Sequence, residues 1–291
     1  MIYIIASIIA STAFGLFFRL FDYFKIHGLT AIIINYFVAA TFGFWFSNDA
    51  LIVTNYVPQA WFPFACVLGL IFIGSLYVIS VTTATIGVSV AQVANKMSMV
   101  IPALIAVVAY NNTLSIVNIL GIILALVAVY LVSKKTSDAS VTTSSVTKWL
   151  FPGIIFLCSG IIDSTINYVQ RNALGASDMS SFLSVIFFVA GIVGIVWLIV
   201  LKQQGSLLAL VRNTVFVGIA LGLLNFGTMY FLVQALNANV FAPAVFFPVN
   251  NVAILILATL CSFVFFKEKL STLNWLGIAL SALSIAMVSF K

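Results

Sequence analysis

Charge is what this chain of 291 residues has least of: Asp, Glu, Lys and Arg together make up 6% of it. Soluble domains run near a quarter charged. With 64% hydrophobic residues, no water-facing exterior can be assembled, so lipid must cover most of the surface. Acids are scarcer still, six in all, with a single Glu, Glu268, at the end of an apolar segment. A cation exporter that depends on a membrane-embedded Glu is therefore disfavoured. The one histidine, His27, has no second imidazole with which to build a metal site. The three cysteines, Cys66, Cys158 and Cys261, sit inside apolar segments without metal-ligand spacing and read as reduced packing residues. No phosphate-binding Gly-x-x-x-x-Gly-Lys-Ser/Thr loop occurs, so no ATPase is expected. No His-rich cluster, paired Asp or nucleophile motif points to an enzyme, and no cofactor is expected. The net charge of +6 is scattered over loops without an aromatic-basic stripe, which fits membrane headgroups and not nucleic acid.

What is present is a succession of apolar runs. A spanning helix needs about 20 apolar residues, and ten windows qualify: roughly 2–22, 29–47, 61–83, 86–110, 115–133, 150–171, 179–201, 213–235, 239–266 and 272–290. The first opens at Met1 without a basic leader or a small-residue cleavage pattern, and reads as a span, not as a signal peptide. One long polar stretch, 134–148, is rich in Ser and Thr and reads as a flexible linker. It divides the chain into 1–133 and 149–291, five segments each. The ends of segments 4 and 9 match: Leu114-Ser115 then Gly121, and Leu270-Ser271 then Gly277. An odd number of spans per repeat turns the second copy upside down, the plan of many secondary transporters. The expected fold class is an all-α integral membrane protein, ten transmembrane helices arranged as two inverted five-helix repeats.

Lys96 stands near the middle of segment 4. A charge in hydrocarbon costs roughly 2.5 to 3.5 kcal/mol on insertion scales. Gln92, Asn95, Lys96 and Met99 recur at helical spacing and share one face. Three readings stay open: an anion site, a gate lysine paired with an acid in one state, and a structural lysine tied to carbonyls. Asp163 is the only acid well inside a span, with Asn167, Gln170 and Arg171 on the same stripe of segment 6. It is expected to couple or gate transport, to serve as counter-ion to Lys96, or simply to fix packing. Arg19, with Asp22 near the end of segment 1, is a candidate gate residue. Segment 9 carries Pro243 and Pro248, then Asn250 and Asn251. Each proline should displace a carbonyl four residues back, at Asn239 and Ala244, as Pro102 should at Ser98. Interrupted fourth helices in both halves would then mark the site. Asn225, Tyr77 and Tyr230 are expected to add hydrogen-bonding groups, whereas Gly218 and Gly222 read as close helix packing. Trp45, Trp61, Trp149 and Trp275 read as interfacial anchors.

Five plus five segments, Pro248, Glu268, Leu270-Ser271 and Gly277, with Pro102 and Gly121 in the first half, resemble the drug/metabolite transporter superfamily, closest to its EamA-type branch. The first half departs from the pattern in having Asn112 where the Glu would stand. The resemblance implies a central cavity lined by segments 1, 3, 4, 6, 8 and 9, opening alternately to each side. It implies uptake or export of a small metabolite; with the mid-membrane Lys96, Asp163 and broken helices, the expected function is a secondary transporter of an amino acid or organic anion. The alternatives are a passive facilitator or an exporter of aromatic, drug-like compounds. It places the chain in the cell (inner) membrane, as a monomer or homodimer, with both termini in the cytoplasm. The basic residues disagree on that last point: Lys25, Lys134, Lys135, Lys148, Lys202, Arg212, Lys267 and Lys269 would then lie outside, against the positive-inside rule.

Overall fold

The computed structural model describes residues 1–17, 26, 28–47, 56–85, 88–110, 115–133, 145–174, 178–200, 207–266 and 271–289. Among these residues there is no strand; they form α1 (Ile2–Phe17), α2 (Gly28–Phe46), α3 (Phe62–Thr85), α4 (Val88–Met97), α5 (Val100–Tyr110), α6 (Ile116–Ser133), α7 (Ser145–Asn172), α8 (Met179–Val200), α9 (Leu207–Asn237), α10 (Pro243–Phe266) and α11 (Thr272–Ser289). Helix is the answer that hydrocarbon dictates, because it pairs every backbone N–H and C=O within one segment. α2, α3, α7, α8, α9 and α10 each contain an apolar stretch of 19 to 24 residues, long enough to cross a bilayer. At 1.5 Å per residue, 19 residues span about 28 Å, close to the hydrocarbon thickness. The chain is a multi-pass, all-α membrane protein.

The fourth apolar segment is two helices. The turn between α4 and α5 falls at Ser98–Met99, ahead of Pro102. Met99 N–H bonds the Lys96 carbonyl (3.4 Å) and Ile101 N–H bonds the Ser98 carbonyl (2.9 Å), while the Ser98 hydroxyl donates to the Asn95 carbonyl. Pro102 thus sits in the first turn of α5, where a missing N–H costs nothing. The Ser98 carbonyl, expected to be free, is occupied by this tight turn. Segment 9 differs from expectation as well. Pro243 opens α10, whose first N–H groups, those of Val245 and Phe246, bond the Ala242 carbonyl at 2.9 and 2.8 Å. No carbonyl of Asn239 is displaced. Asn239 itself turns the chain with a left-handed φ of 49°, a conformation Asn tolerates well. α10 then runs unbroken through Pro248, so the interruption belongs to segment 4 and is not mirrored in segment 9. The polar stretch is also shorter than expected: α7 begins at Ser145 and takes its last four residues, since extending an existing helix costs little per residue. Residues 134–144 lie outside the described residues.

The chain forms two compact units that do not follow its two halves. One holds Met1, Val78–Ser164 and Ala238–Lys291; the other holds Ile2–Tyr77 and Thr165–Asn237. In the second unit, α2 packs on both α8 and α9, and α1 packs on α9. Side chains added at Gly191 and Gly194 would strike Phe37 and Ile33, and one at Gly43 would strike Ser184. Numbers rise along α2 as they fall along α8, so these helices are antiparallel. Gly218 faces Ala31 and Ile34, and Gly222 faces the Asn35 carbonyl and Val38; α2 and α9 are therefore parallel, and the glycines permit their approach. In the first unit, α6 packs along α11. Ser284 Oγ donates to the Gly121 carbonyl (2.8 Å) and Asn274 Nδ2 donates to the Leu131 carbonyl (3.1 Å), an antiparallel register. α10 packs against α4, α5, α6 and α11. Met99, in the break, is fully buried against Ala125, Val129, Val252 and Leu255, so it belongs to the core.

Candidate functional site around Lys96

Lys96 occupies the last turn of α4. The unpaired carbonyl ends of a helix favour a cation there, which offsets part of the cost of a charge at this depth. Its Nζ donates to Asn251 Oδ1 of α10 at 3.2 Å, a contact between residues 155 positions apart. An ammonium carries three N–H donors, and among the described residues this is the one that is used.

Asp163 reaches the same neighbourhood from α7. Ala91 and Ala94 of α4 pack on Ile155, and further along a side chain at Gly160 would strike Ile101 of α5. α4–α5 and α7 therefore run parallel. Asp163 lies three residues beyond Gly160, on the same face of α7. Lys96 and Asp163 act on each other through their charges. Both residues are half-buried. Among the described residues no hydrogen-bond donor serves the Asp163 carboxylate. Beside Asn251, Asn250 is 3% exposed and its Oδ1 accepts no hydrogen bond. Asn95 is half-buried, and its carbonyl takes the Ser98 hydroxyl. Among the described residues the Lys96 ammonium uses one donor, and Asn250 Oδ1 and the Asp163 carboxylate receive none.

The other expected residues fall elsewhere. Asn167, Tyr77, Asn225 and Tyr230 belong to the second unit. There Tyr77 lies 4.5 Å from the Trp197 ring, centroid to centroid. Tyr230 OH accepts from Gln234 Nε2 at 3.3 Å, with its ring 5.6 Å from that of Phe226. Asn167 and Asn225 are buried, each with an unpartnered side-chain atom. Gln170 Nε2 donates to Asn237 Oδ1 at 2.7 Å. Arg19 and the Gln92 side chain lie outside the described residues. Trp61, read as an interfacial anchor, is instead 1% exposed and packed against Tyr56 and Phe182; Trp45 and Trp275 are exposed. Asn35 went unremarked in the sequence, yet it is wholly buried with both side-chain polar atoms unpartnered. A lone amide in an otherwise apolar segment 2 was the signal. Among the described residues no group of His, Cys, Asp and Glu could hold a metal ion.

No family model matches the chain. An uncharacterized protein of Haemophilus influenzae (strain ATCC 51907 / DSM 11121 / KW20 / Rd) is 29% identical over 265 residues, covering 88% of this chain and 86% of that protein. A solved crystal structure superposes with a TM-score of 0.77 over 98% of this chain and 94% of its own, at 11% identity. That likeness is one of fold.

Proposed function

We propose that the chain is a secondary transporter of the drug/metabolite superfamily, of the EamA type, that moves a small carboxylate-bearing metabolite by alternating access. The substrate is an amino acid or an organic anion, and its carboxylate pairs with Lys96. The observation that carries this reading is the Lys96 ammonium itself: a cation at a helix break, on a half-buried side chain, hydrogen-bonded among the described residues to Asn251 alone. Structural lysines in apolar surroundings exhaust their donors on neighbours, because an unused donor there costs free energy. One that keeps donors unused among the described residues is placed to bind. Asn250 and Asn251 supply amide groups beside it, and Asn95 lies one residue before it.

The helix directions support ten crossings in two inverted repeats. α2 and α8 are segments 2 and 7, and α6 and α11 are segments 5 and 10; each pair is five segments apart, packed together and antiparallel. An inverted repeat relates such pairs in that way. The reading carries with it a carrier and not an enzyme, residence in the cell membrane, and both termini on one side.

The test is a thermal-shift screen of the purified protein against amino acids, monocarboxylates, phosphorylated metabolites and aromatic cations. Uptake of the stabilising compounds into proteoliposomes follows. A carboxylate should stabilise the parent protein, and Lys96→Ala should lose both stabilisation and transport while remaining folded. Equal stabilisation of both proteins would remove Lys96 from the mechanism. A cation that binds while carboxylates do not would favour the drug-exporter alternative.

A further inference from the structure

We infer that Asp163 carries the proton that accompanies each anion, making the protein an electroneutral proton–monocarboxylate symporter. The inference rests on the anion reading of Lys96 and deepens it. It starts from a count of charges. With the site empty, Lys96 and Asp163 compensate each other within one unit. When a substrate carboxylate takes the ammonium as its partner, Asp163 is left as a second anion with no hydrogen-bond donor among the described residues. An uncompensated charge in the membrane is too costly to carry across. Lys96 is the only charged residue on α4, α5, α10 and the stretch of α3 from Val78. The remaining titratable groups on those stretches are Tyr110 and Cys261, while α7 itself carries Lys148, Cys158, Tyr168 and Arg171 at other positions along its length.

The economical remedy is one proton. It leaves the aqueous phase, adds to the Asp163 carboxylate to give a neutral acid, and returns to water when the substrate departs. No bond to substrate is made or broken. The empty site is neutral as Lys96 cation with Asp163 anion. The loaded site is neutral as Lys96 cation, substrate anion and Asp163 acid. Neither crossing step moves net charge, so membrane potential should act on neither, and a pH gradient alone should drive accumulation. A zwitterionic substrate would behave differently. Its own ammonium would compensate Asp163, and no proton would be needed.

The experiment uses the full chain in proteoliposomes with labelled gluconate, pyroglutamate and N-acetylglycine, monocarboxylates without an ammonium, and with leucine and glycine as zwitterions. Inward acidification by a gradient of roughly one pH unit should drive up to about tenfold accumulation of a monocarboxylate. A potassium diffusion potential of either sign, set with valinomycin, should leave it unchanged. Asp163→Asn, which holds the side chain neutral, should abolish accumulation while exchange of internal for external probe persists. Asp163→Glu should recover part of the gradient response. Four results overturn the inference: potential-driven uptake, full accumulation by Asp163→Asn, loss of exchange together with accumulation in a folded Asp163→Asn protein, and transport of the zwitterions without the monocarboxylates. The last leaves the Lys96 reading standing. If no carboxylate of either kind binds or moves, that reading falls as well.

Discussion

The coupling between Lys96 and Asp163 can be measured without knowing the substrate. Replacing Asp163 by Asn leaves the Lys96 ammonium short of its compensating charge. Breaking a buried ion pair costs about 3 to 5 kcal/mol; these two charges interact without an ion-pair contact and sit on half-buried residues, so the expected loss is at most about 3 kcal/mol. Replacing Lys96 by Met leaves Asp163 equally stranded, and it also removes the 3.2 Å bond to Asn251. A hydrogen bond to a charged group contributes roughly 1.5 to 3 kcal/mol, so this variant should lose up to about 5 kcal/mol. The double variant strands no charge. It lacks only the Asn251 contact and should lose about 2 kcal/mol, far below the sum of the single losses. Asn251→Leu alone should lose a similar amount. Thermal unfolding in detergent reads these differences, at roughly 2 °C per kcal/mol for a chain of this size. If the double variant lost the sum of the two singles, the charges would not compensate each other, and the reasoning about both residues would fail.

Other outcomes follow from the packing. Gly160→Val would bring a Cβ to 2.8 Å from Ile101 Cβ, well inside contact distance; a melting loss equivalent to about 1 to 3 kcal/mol is expected, partly relieved by adding Ile101→Ala. Gly222→Leu should separate α2 from α9, because its Cβ would lie 2.7 Å from the Asn35 carbonyl oxygen and 2.6 Å from Val38 Cβ. Misfolding or poor yield, detected by size-exclusion chromatography, is expected there, while Gly15→Ala, with open space around it, should behave as the parent. Asn35→Leu should raise the melting temperature, since two unpartnered buried polar atoms each cost roughly 1 to 3 kcal/mol; a marked fall would mean that the amide has a partner in the working protein.

Much of the architecture was legible in the residues. Apolar runs of spanning length name the helices, because hydrocarbon penalises every unpaired backbone group, and Lys96 and Asp163 stand out against them by charge alone. The two glycines of segment 8 announced a close approach for the same kind of reason: nothing else lets backbones meet. Proline was read less well. Pro102 and Pro243 both fell within apolar windows, but one sits in the first turn after a break and the other begins a helix, because a proline costs least in a first helical turn. Trp61 misled for another reason. An indole near a segment end serves at a headgroup boundary or in a protein core, and composition does not distinguish the two.

The amino-acid order thus determined on its own that this chain lives in lipid, that it crosses several times as helix, and that a lysine and an aspartate lie deep within it. These follow from solvation, a property each residue carries wherever it goes. That Lys96 ends a helix, that it meets an asparagine 155 positions away, and that the compact units draw on both halves of the chain were decided by tertiary packing. Such contacts depend on which faces of which helices meet, and that is fixed by the collective fit of side chains and not by any segment alone.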